Sequence, residues 1–145
     1  LEAEDVGMAV VKFKNGAIGT IEGTTNVYPK NLEETLYIFG ENGTVKIGGT
    51  STNNIDVWDF ADETEEDGKN KGLKEETSNV YGNGHTSLFA DVIDAIQSDR
   101  KPYVDAVAGR NALETVLSIY KSQKTGQPVK LPLTDFASTD MKGEF

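Results

Sequence analysis

One short segment of the sequence carries the residue types best suited to binding or proton transfer. His85 is the only histidine of the chain and follows the run Tyr81-Gly82-Asn83-Gly84. An imidazole ring changes charge near neutral pH and can donate or accept a hydrogen bond. The two glycines would let a ligand approach the backbone closely. The candidate substrate-binding residues are therefore Tyr81, Asn83 and His85.

After His85 the sequence takes on the apolar spacing of an amphipathic helix. Apolar residues recur at intervals of one and three, which predicts a helix over 86–98 with one apolar side: Leu88, Phe89, Val92, Ile93 and Ile96. The first amides of a helix have no partner within it, so these N–H groups and His85 could together meet an anionic or hydroxylated ligand. The alternative is structural: His85 or Thr86 caps the helix, and the glycines form a turn.

Two other groups of residues have side chains that could do chemistry. Asp91 and Asp94 are spaced to share a helix face, but glycoside cleavage needs a cleft between two carboxylates. Both lie opposite the apolar stripe, so we interpret them as ordinary solvent-exposed acidic residues. Trp58, Tyr37 and Tyr81 could form a platform for stacking a sugar, although aromatic residues on strands more often serve the core.

The acidic run over 62–67 is a weak candidate for a metal site. It lacks the alternating Asp and Asn ligands, the central glycine and the terminal glutamate of an EF-hand loop. We interpret residues 61–80 as a solvated loop or an irregular edge strand, and we predict no metal site.

Composition limits the class of protein. The chain has 145 residues, enough for one domain that folds without disulfides, and it has no cysteine, which is compatible with a reducing compartment. No segment has the length and hydropathy of a membrane span or the layout of a signal peptide. A net charge of −10 repels phosphate backbones and anionic lipids. These features predict a soluble cytoplasmic protein that binds neither nucleic acid nor membranes.

The first half of the sequence predicts an antiparallel sheet. Residues 5–14 and 17–28 are extended candidates on either side of Asn15-Gly16, a dipeptide typical of a two-residue type I′ turn. Residues 34–40 and 44–47 form a second pair around 41–43, and 55–60 is a fifth strand.

Both faces of these strands are apolar. Val6, Met8 and Val10 alternate with Ala9, Val11 and Phe13 along the first strand. An antiparallel sheet with one solvent-exposed face would carry apolar residues on one face and polar residues on the other. We therefore expect both faces of this sheet to be covered by other protein. Two helices can cover only one, which predicts that the other face is an interface with a second copy or with a missing part of the protein. The alternative is that a few apolar residues are simply exposed.

The second half predicts two helices. Lys101-Pro102 ends the first, because a proline disfavours the helical conformation of the residue before it. The second begins near the N-cap candidate Asp105, is weakened by Gly109, and ends at Gly126. It directs Leu113, Val116, Leu117 and Tyr120 inward, and residues 129–131 could add an edge strand. The predicted class is α+β: an open, mainly antiparallel sheet with helices on one face and the other face available for oligomerisation.

Taken in order, these segments carry a family resemblance. The second half contains Gly84-His85, Asp94-Ala95-Ile96, Arg100-Lys101-Pro102, the run 109–114, the run 119–122 and Thr125-Gly126-Gln127-Pro128-Val129. In the first half, runs 13–23 and 38–45 are similar to two hairpins of the same family. The chain from about 5 to 132 thus resembles the carboxy-terminal domain of Gfo/Idh/MocA-type oxidoreductases.

The resemblance implies a function for the intact protein. Members of the family are typically sugar or polyol dehydrogenases with an amino-terminal Rossmann domain that binds NAD or NADP. Their carboxy-terminal α/β domain has an open sheet whose face often forms the subunit interface, and the glycine-histidine segment tends to lie toward a nucleotide-linked sugar. The ending over 131–143 is closer to enzymes that oxidise nucleotide-sugar uronates.

Departures from the family pattern limit that implication. No position here matches the family's Glu-Lys-Pro or Asp-x-x-x-His motif, and there is no Gly-x-Gly-x-x-Gly, so no catalytic or cofactor-binding residue is assigned in this chain. The sequence begins with Leu1 as though it were cut from something longer. We expect a fragment that is inactive alone, whose partners are a missing Rossmann domain, a second copy and a sugar or nucleotide-sugar substrate. The rival is a free-standing ligand-binding or assembly domain, and the sequence upstream of Leu1 would distinguish the two.

Overall fold

A computed structural model describes residues 4–144 and has the predicted α+β composition. Within this range the chain forms two antiparallel sheets and three helices. The strands are β1 Val6–Lys12 and β2 Ile18–Thr24 in one sheet, and β3 Leu36–Gly40, β4 Gly43–Gly48 and β5 Asn54–Phe60 in the other. The helices are α1 Glu65–Asn70, α2 Gly84–Gln97 and α3 Ala106–Thr125. The chain divides into two compact units, one of residues 4–26 with 98–144 and one of residues 27–97. None of the helices described is long and apolar enough to cross a membrane.

The first hairpin forms as predicted, but its turn differs from the predicted type. β1 pairs with β2 from Val6 opposite Thr24 to Lys12 opposite Ile18. The Gly16 N–H donates to Phe13 O at 3.0 Å, and the Phe13 N–H donates to Ala17 O at 2.9 Å. Only Gly16 has a positive φ, of 93°. This is a three-residue loop built on a type I turn, which needs one left-handed residue where the type I′ turn needs two.

The second sheet has the strand order β3-β4-β5. Ile38 lies opposite Val45, and Val45 lies opposite Trp58, so these three side chains share one face. A register shift between Lys46 and Ile47 places Asp56 in a bulge.

The predicted alternation of burial appears in β1, whereas every residue of β3 is exposed. In β1 the exposed positions alternate with half-buried ones throughout. Val6 is 49% exposed, Met8 72% and Val10 77%, and Ile18 on the facing strand is 71% exposed. Because Lys12 pairs with Ile18, all four lie on the same face of the hairpin. We call Val6, Met8, Val10 and Ile18 the β1–β2 apolar face.

The helical stripes are only partly covered. On α2, Leu88 and Val92 are half-buried, and Ala95 is buried. The other predicted stripe residues, Phe89, Ile93 and Ile96, are exposed. On α3, Leu117 and Tyr120 are half-buried, while Leu113 and Val116 remain exposed. The periodicity therefore predicted the helices correctly, but not the burial of the whole stripe.

The segment predicted as a loop or edge strand contains the short helix α1. Thr64 caps it, since its hydroxyl accepts from the Asp67 N–H at 3.3 Å and the Asp67 carboxylate accepts from the Thr64 N–H at 2.9 Å. Three acidic residues in the first turn also suit the positive end of the helix dipole. The prediction missed this capping box because the segment lacks apolar periodicity.

α3 has the predicted ends. The Asp105 carboxylate accepts from the Ala108 N–H at 2.9 Å. At the other end Gly126 has a φ of 64°, and its N–H donates to Ser122 O at 2.9 Å.

The residues after α3 return along it without forming the predicted edge strand. Ser122 Oγ donates to Gln127 O at 2.9 Å, and Glu114 Oε1 accepts from the Leu133 N–H at 2.8 Å. The segment ends in a 3-10 turn, Ser138–Met141. Residues 129–131 form no strand, because their backbone follows α3 rather than a sheet.

Few apolar side chains are buried. Within residues 4–144 these are Val45, Ala95 and Met141. The chain exposes 11682 Å², about a third more than the roughly 8,800 Å² expected for two separate compact units of half its mass. This excess is typical of a chain that packs against further protein.

Candidate functional site

The segment before α2 is held in a fixed turn by its own side chains. Asn79 Oδ1 accepts from the Tyr81 N–H at 2.9 Å, which is an Asx turn. Gly82 follows with a φ of 63°, a conformation that favours glycine. The sequence thus prescribes a turn at 79–82 before the helix begins at Gly84.

The two glycines of this segment have different roles. A Cβ on Gly82 would lie 3.5 Å from the Ser51 Cβ, in ordinary contact, so its positive φ is the reason for glycine. A Cβ on Gly84 would meet nothing within 4 Å. Gly84 therefore leaves the helix start open to an approaching molecule.

Asn83 is anchored to the neighbouring chain segment. Its amide nitrogen donates to Glu75 Oε1 at 2.7 Å and to the Glu76 carbonyl at 3.2 Å. Both amide protons therefore have protein acceptors. Any direct contact of Asn83 with a ligand would use its side-chain oxygen.

His85 lies in the first turn of α2 with an exposed ring. Its ring centroid is 6.4 Å from that of Phe89, one turn later. Among residues 4–144, the imidazole of His85 has no hydrogen-bond or ion-pair partner. Neither His85 nor Thr86 caps the helix with its side chain. Both ring nitrogens are available to a ligand or to another part of the protein.

Tyr81 is 75% exposed, and the aromatic platform considered from sequence does not form. Tyr37 pairs with Lys46, whereas Trp58 pairs with Val45, so the two rings lie on opposite faces of their sheet. Tyr37 stacks instead on Phe39, with centroids 5.9 Å apart. Trp58 Nε1 donates to Asp67 Oδ1 at 3.1 Å, which ties β5 to α1.

Lys46 and Asp67 are among the ionisable side chains of this unit that have displaced pKa values. The Asp56 carboxylate bonds Lys46 Nζ at 2.9 Å and raises the pKa of Lys46. The pKa of Asp67 is lowered, first by the hydrogen bond from the Thr64 hydroxyl and then by those from the Thr64 backbone and Trp58. Both groups have structural partners, Asp56 for Lys46 and Thr64 and Trp58 for Asp67.

The acidic residues provide no metal centre in the part of the chain that the structure describes. Across residues 4–144, no group of three or more histidine, cysteine, aspartate or glutamate side chains is placed to hold an ion. Asp91 and Asp94 lie on α2 and have interactions within the protein.

Sequence reasoning missed the residues that support this segment. Ser51 lies beside Gly82, where a Cβ on that glycine would meet it, and Glu75 and Glu76 accept from Asn83. They come from a loop and a polar stretch without apolar period, so no local pattern distinguishes them. The site is an exposed imidazole and phenol on a braced turn at a helix start, which suits hydrogen bonding to a polar ligand.

The fold is that of the carboxy-terminal domain of an oxidoreductase. The family model described as "Oxidoreductase family, C-terminal alpha/beta domain" matches residues 1–131, and the chain belongs to this Gfo/Idh/MocA family. A search of curated proteins found no match.

Solved structures of dehydrogenases are similar to this chain. The WlbA dehydrogenase from Bordetella pertussis, in complex with NADH and UDP-GlcNAcA, is 40% identical with a TM-score of 0.84 over 92% of this chain. The WlbA dehydrogenase from Chromobacterium violaceum, in complex with the same two ligands, is 33% identical with a TM-score of 0.76 over 91% of this chain. The chain spans 39% and 36% of their respective lengths.

Proposed function

We propose that this chain is the substrate-side domain of an NAD(P)-dependent dehydrogenase that oxidises a nucleotide-linked sugar. The observation that carries the proposal is the 40% identity, over 92% of the chain, to a dehydrogenase in complex with NADH and UDP-GlcNAcA. The intact enzyme would move a hydride between the nicotinamide and a sugar carbon, while a lysine or histidine outside this chain handles the proton.

The dinucleotide belongs to another domain in this proposal. A dinucleotide fingerprint joins a strand of a parallel sheet to a helix, whereas the strand pairs described here are all antiparallel. The antiparallel pairing therefore supports a dinucleotide site in another domain. We expect the chain alone to be inactive.

Tyr81, Asn83 and His85 are the proposed contacts with the substrate. The exposed ring of His85 and the open backbone at Gly84 support this role, since both can meet hydroxyl or phosphate oxygens. Asn83 would position the segment through Glu75 and contribute its side-chain oxygen.

The proposal includes self-association through the β1–β2 apolar face. Its four apolar side chains are exposed on one face of one hairpin, and the exposed area of the chain exceeds that of compact units. A second copy covering this face would remove the side chains from water.

The decisive experiment compares two forms of the protein. One is the 145-residue chain, and the other is the same chain joined to whatever coding sequence precedes Leu1. Reduction of NAD or NADP, with UDP-GlcNAcA supplied as the hydride donor, is expected only in the longer form. A longer form that carries a glycine-rich fingerprint but reduces neither cofactor with a panel of nucleotide sugars would contradict the proposal.

The alternative is a free-standing ligand-binding or assembly domain. The large exposed apolar surface favours assembly both for such a domain and for a dehydrogenase domain. A start codon upstream with neither a fingerprint nor Glu-Lys-Pro would leave only this alternative.

A further inference from the structure

The outer edge of β3 is unpaired in the part of the chain that the structure describes. β3 is the first strand in the sheet order β3-β4-β5, and among residues 4–144 it pairs only with β4. The Glu34 N–H donates to Gly49 O at 2.8 Å and continues this ladder, so the even-numbered residues of β3 bond to β4. Because backbone groups alternate in direction along a strand, those of Tyr37 and Phe39 point away from β4. We call the N–H and C=O groups of Tyr37 and Phe39 the β3 edge.

The opposite edge of the same sheet is protected. The Ile55 N–H donates to Leu73 O at 2.8 Å, and the Gly72 N–H donates to Ile55 O at 3.2 Å. β5 also carries Asp56 and Asp59, and charged residues discourage pairing with a further strand. Of the two outer strands, only β3 has neither a charged residue nor a backbone partner on its outer side among the described residues.

The sequence of β3 is typical of an interior strand. Leu36 and Ile38 project to one face and Tyr37 and Phe39 to the other, and each of these four residues is at least half exposed. Edge strands usually carry a lysine, a proline or a bulge that prevents further pairing, and β3 has none of these. A continuous apolar run is characteristic of a strand that is buried on both faces. β3 therefore has the composition of a strand with a neighbour on each side.

A second copy of the chain does not suit the β3 edge. Antiparallel pairing of two β3 strands about Ile38 would bring Glu41 of one copy close to Glu33 and Glu34 of the other, so like charges would meet at both ends of the pair. Stable interfaces also use about 20–30 residues from each partner, whereas β3 has five. A strand of the same polypeptide needs no such area, because the covalent connection gives it a high effective concentration.

We propose that the β3 edge pairs with a β-strand from the part of the polypeptide that precedes Leu1 in the longer protein. The inference rests on the proposed function, which joins this domain to further polypeptide, since the chain spans 39% of the length of a dehydrogenase to which it is 40% identical. Tyr37 and Phe39 supply two donors and two acceptors, and the added strand would bond to all four. Its side chains would be apolar on both faces, because they extend both apolar faces of β3.

The test is hydrogen exchange, measured by NMR on the 145-residue chain and on the longer form. In the 145-residue chain we expect the amides of Tyr37 and Phe39 to exchange rapidly, while those of Ile38 and Gly40, bonded to β4, are protected. In the longer form the protection of Tyr37 and Phe39 should rise about a hundredfold, and that of Ile38 and Gly40 should rise much less. The alternation distinguishes strand pairing from a general gain in stability, which would protect all four amides.

Replacing Phe39 with proline removes the outward N–H together with the ring, and Phe39→Ala, which removes only the ring, is the matched control. A strand tolerates proline where the N–H faces solvent, and Ile38 already has the extended backbone that a following proline requires. In the 145-residue chain the two variants should therefore melt within about 2 °C of each other. In the longer form Phe39→Pro should melt lower, and the protection of Tyr37 should be about tenfold less than in Phe39→Ala.

Three results would overturn the inference. One is equally rapid exchange of Tyr37 and Phe39 in the two forms. Another is protection of these amides in the 145-residue chain that rises with protein concentration, since a second copy would then occupy the edge. The third is equal melting of Phe39→Pro and Phe39→Ala in the longer form. If either variant fails to fold, the exchange comparison of the unaltered proteins decides the matter.

Failure of this inference is distinguishable from failure of the proposed function. A longer form that reduces NAD or NADP but leaves Tyr37 and Phe39 unprotected would contradict the strand pairing alone. A longer form that protects both amides but reduces neither cofactor would support the strand pairing and contradict the proposed dehydrogenase activity.

Discussion

The amide of Asn83 donates to the carboxylate of Glu75 at 2.7 Å and joins the turn before α2 to the segment that follows α1. Eight residues separate the two in sequence, so the bond closes the loop between them. Through it, Glu75 helps to hold the turn that precedes His85. Under the proposed function, Glu75 would position the substrate segment without acting in the chemistry.

Replacing Glu75 with glutamine is expected to loosen the turn before α2. The amide of glutamine keeps an acceptor but loses the charge that strengthens the bond to Asn83, and we expect a loss of under about 1 kcal/mol. Hydrogen exchange of the amides at 79–86 should rise severalfold, while exchange within α3 stays the same. Unchanged exchange at 79–86 would show that the bond does not hold the turn.

Replacing His85 with alanine in the longer, active protein is expected to reduce kcat/KM about tenfold. That is the loss of one hydrogen bond to a polar or charged substrate group, about 1.4 kcal/mol. Steady-state kinetics with a nucleotide sugar would measure it, and Gln97→Ala, at the far end of the same helix, is the control. Kinetics identical to the parent would give His85 no part in the site.

The strands and helices were predictable because their sequence patterns extend over only a few residues. Turn residues between extended segments located β1 to β4, β-branched and aromatic residues located β5, and the Asp105 and Gly126 caps located both ends of α3. Tyr81, Asn83 and His85 were found because a lone histidine and two glycines stand out locally. Their assignment to a substrate stays a prediction.

The features that sequence did not predict depend on contacts between distant residues. Nothing near Asn54 indicates that its oxygen is buried without a partner, because that depends on how 49–54 and 74–77 come together. The positions of Trp58 and Tyr37 also depend on distant contacts, because the strand register of the second sheet places their side chains on opposite faces. The helix α1 was missed for another reason, since its capping box was hidden in a run of charges.

Replacing Val10 with aspartate is expected to abolish self-association of the 145-residue chain. Val10 is 77% exposed in the β1–β2 apolar face, so the monomer should tolerate the change, whereas burying an unpaired carboxylate in an interface is costly. Sedimentation velocity should show a dimer for the parent and a monomer for Val10→Asp. Gln123→Glu, exposed on α3, is the control and should remain dimeric. A parent chain that is monomeric at high concentration would rule out the interface.

Replacing Asp67 with asparagine is expected to destabilise the unit of residues 27–97 at neutral pH but not in acid. The pKa of Asp67 is lowered in the folded state, so its contribution is complete above its unfolded pKa of about 3.9 and is lost as the pH falls through the lower folded value. The difference in urea midpoint between parent and Asp67→Asn should therefore shrink below about pH 4.

The single tryptophan reports this transition directly, because Trp58 Nε1 donates to Asp67 Oδ1 at 3.1 Å. Asp62→Asn makes the same charge change just before the helix cap Thr64 and is the control. An equal midpoint difference at pH 7 and pH 3 would show that ionisation of Asp67 does not stabilise the helix.

Replacing Met141 with alanine is expected to detach the segment that follows α3. Met141 is 3% exposed, and truncating a buried methionine costs about 2–5 kcal/mol. The polar ties beside it, including Lys121 to Asp135 at 2.5 Å and Lys124 to the Asp140 carbonyl, are exposed and worth less. Limited proteolysis should therefore cleave 127–144 faster in Met141→Ala than in the control Leu131→Ala, whose side chain is 40% exposed. Equal cleavage of the two variants would mean that the polar ties, and not the buried thioether, hold the segment.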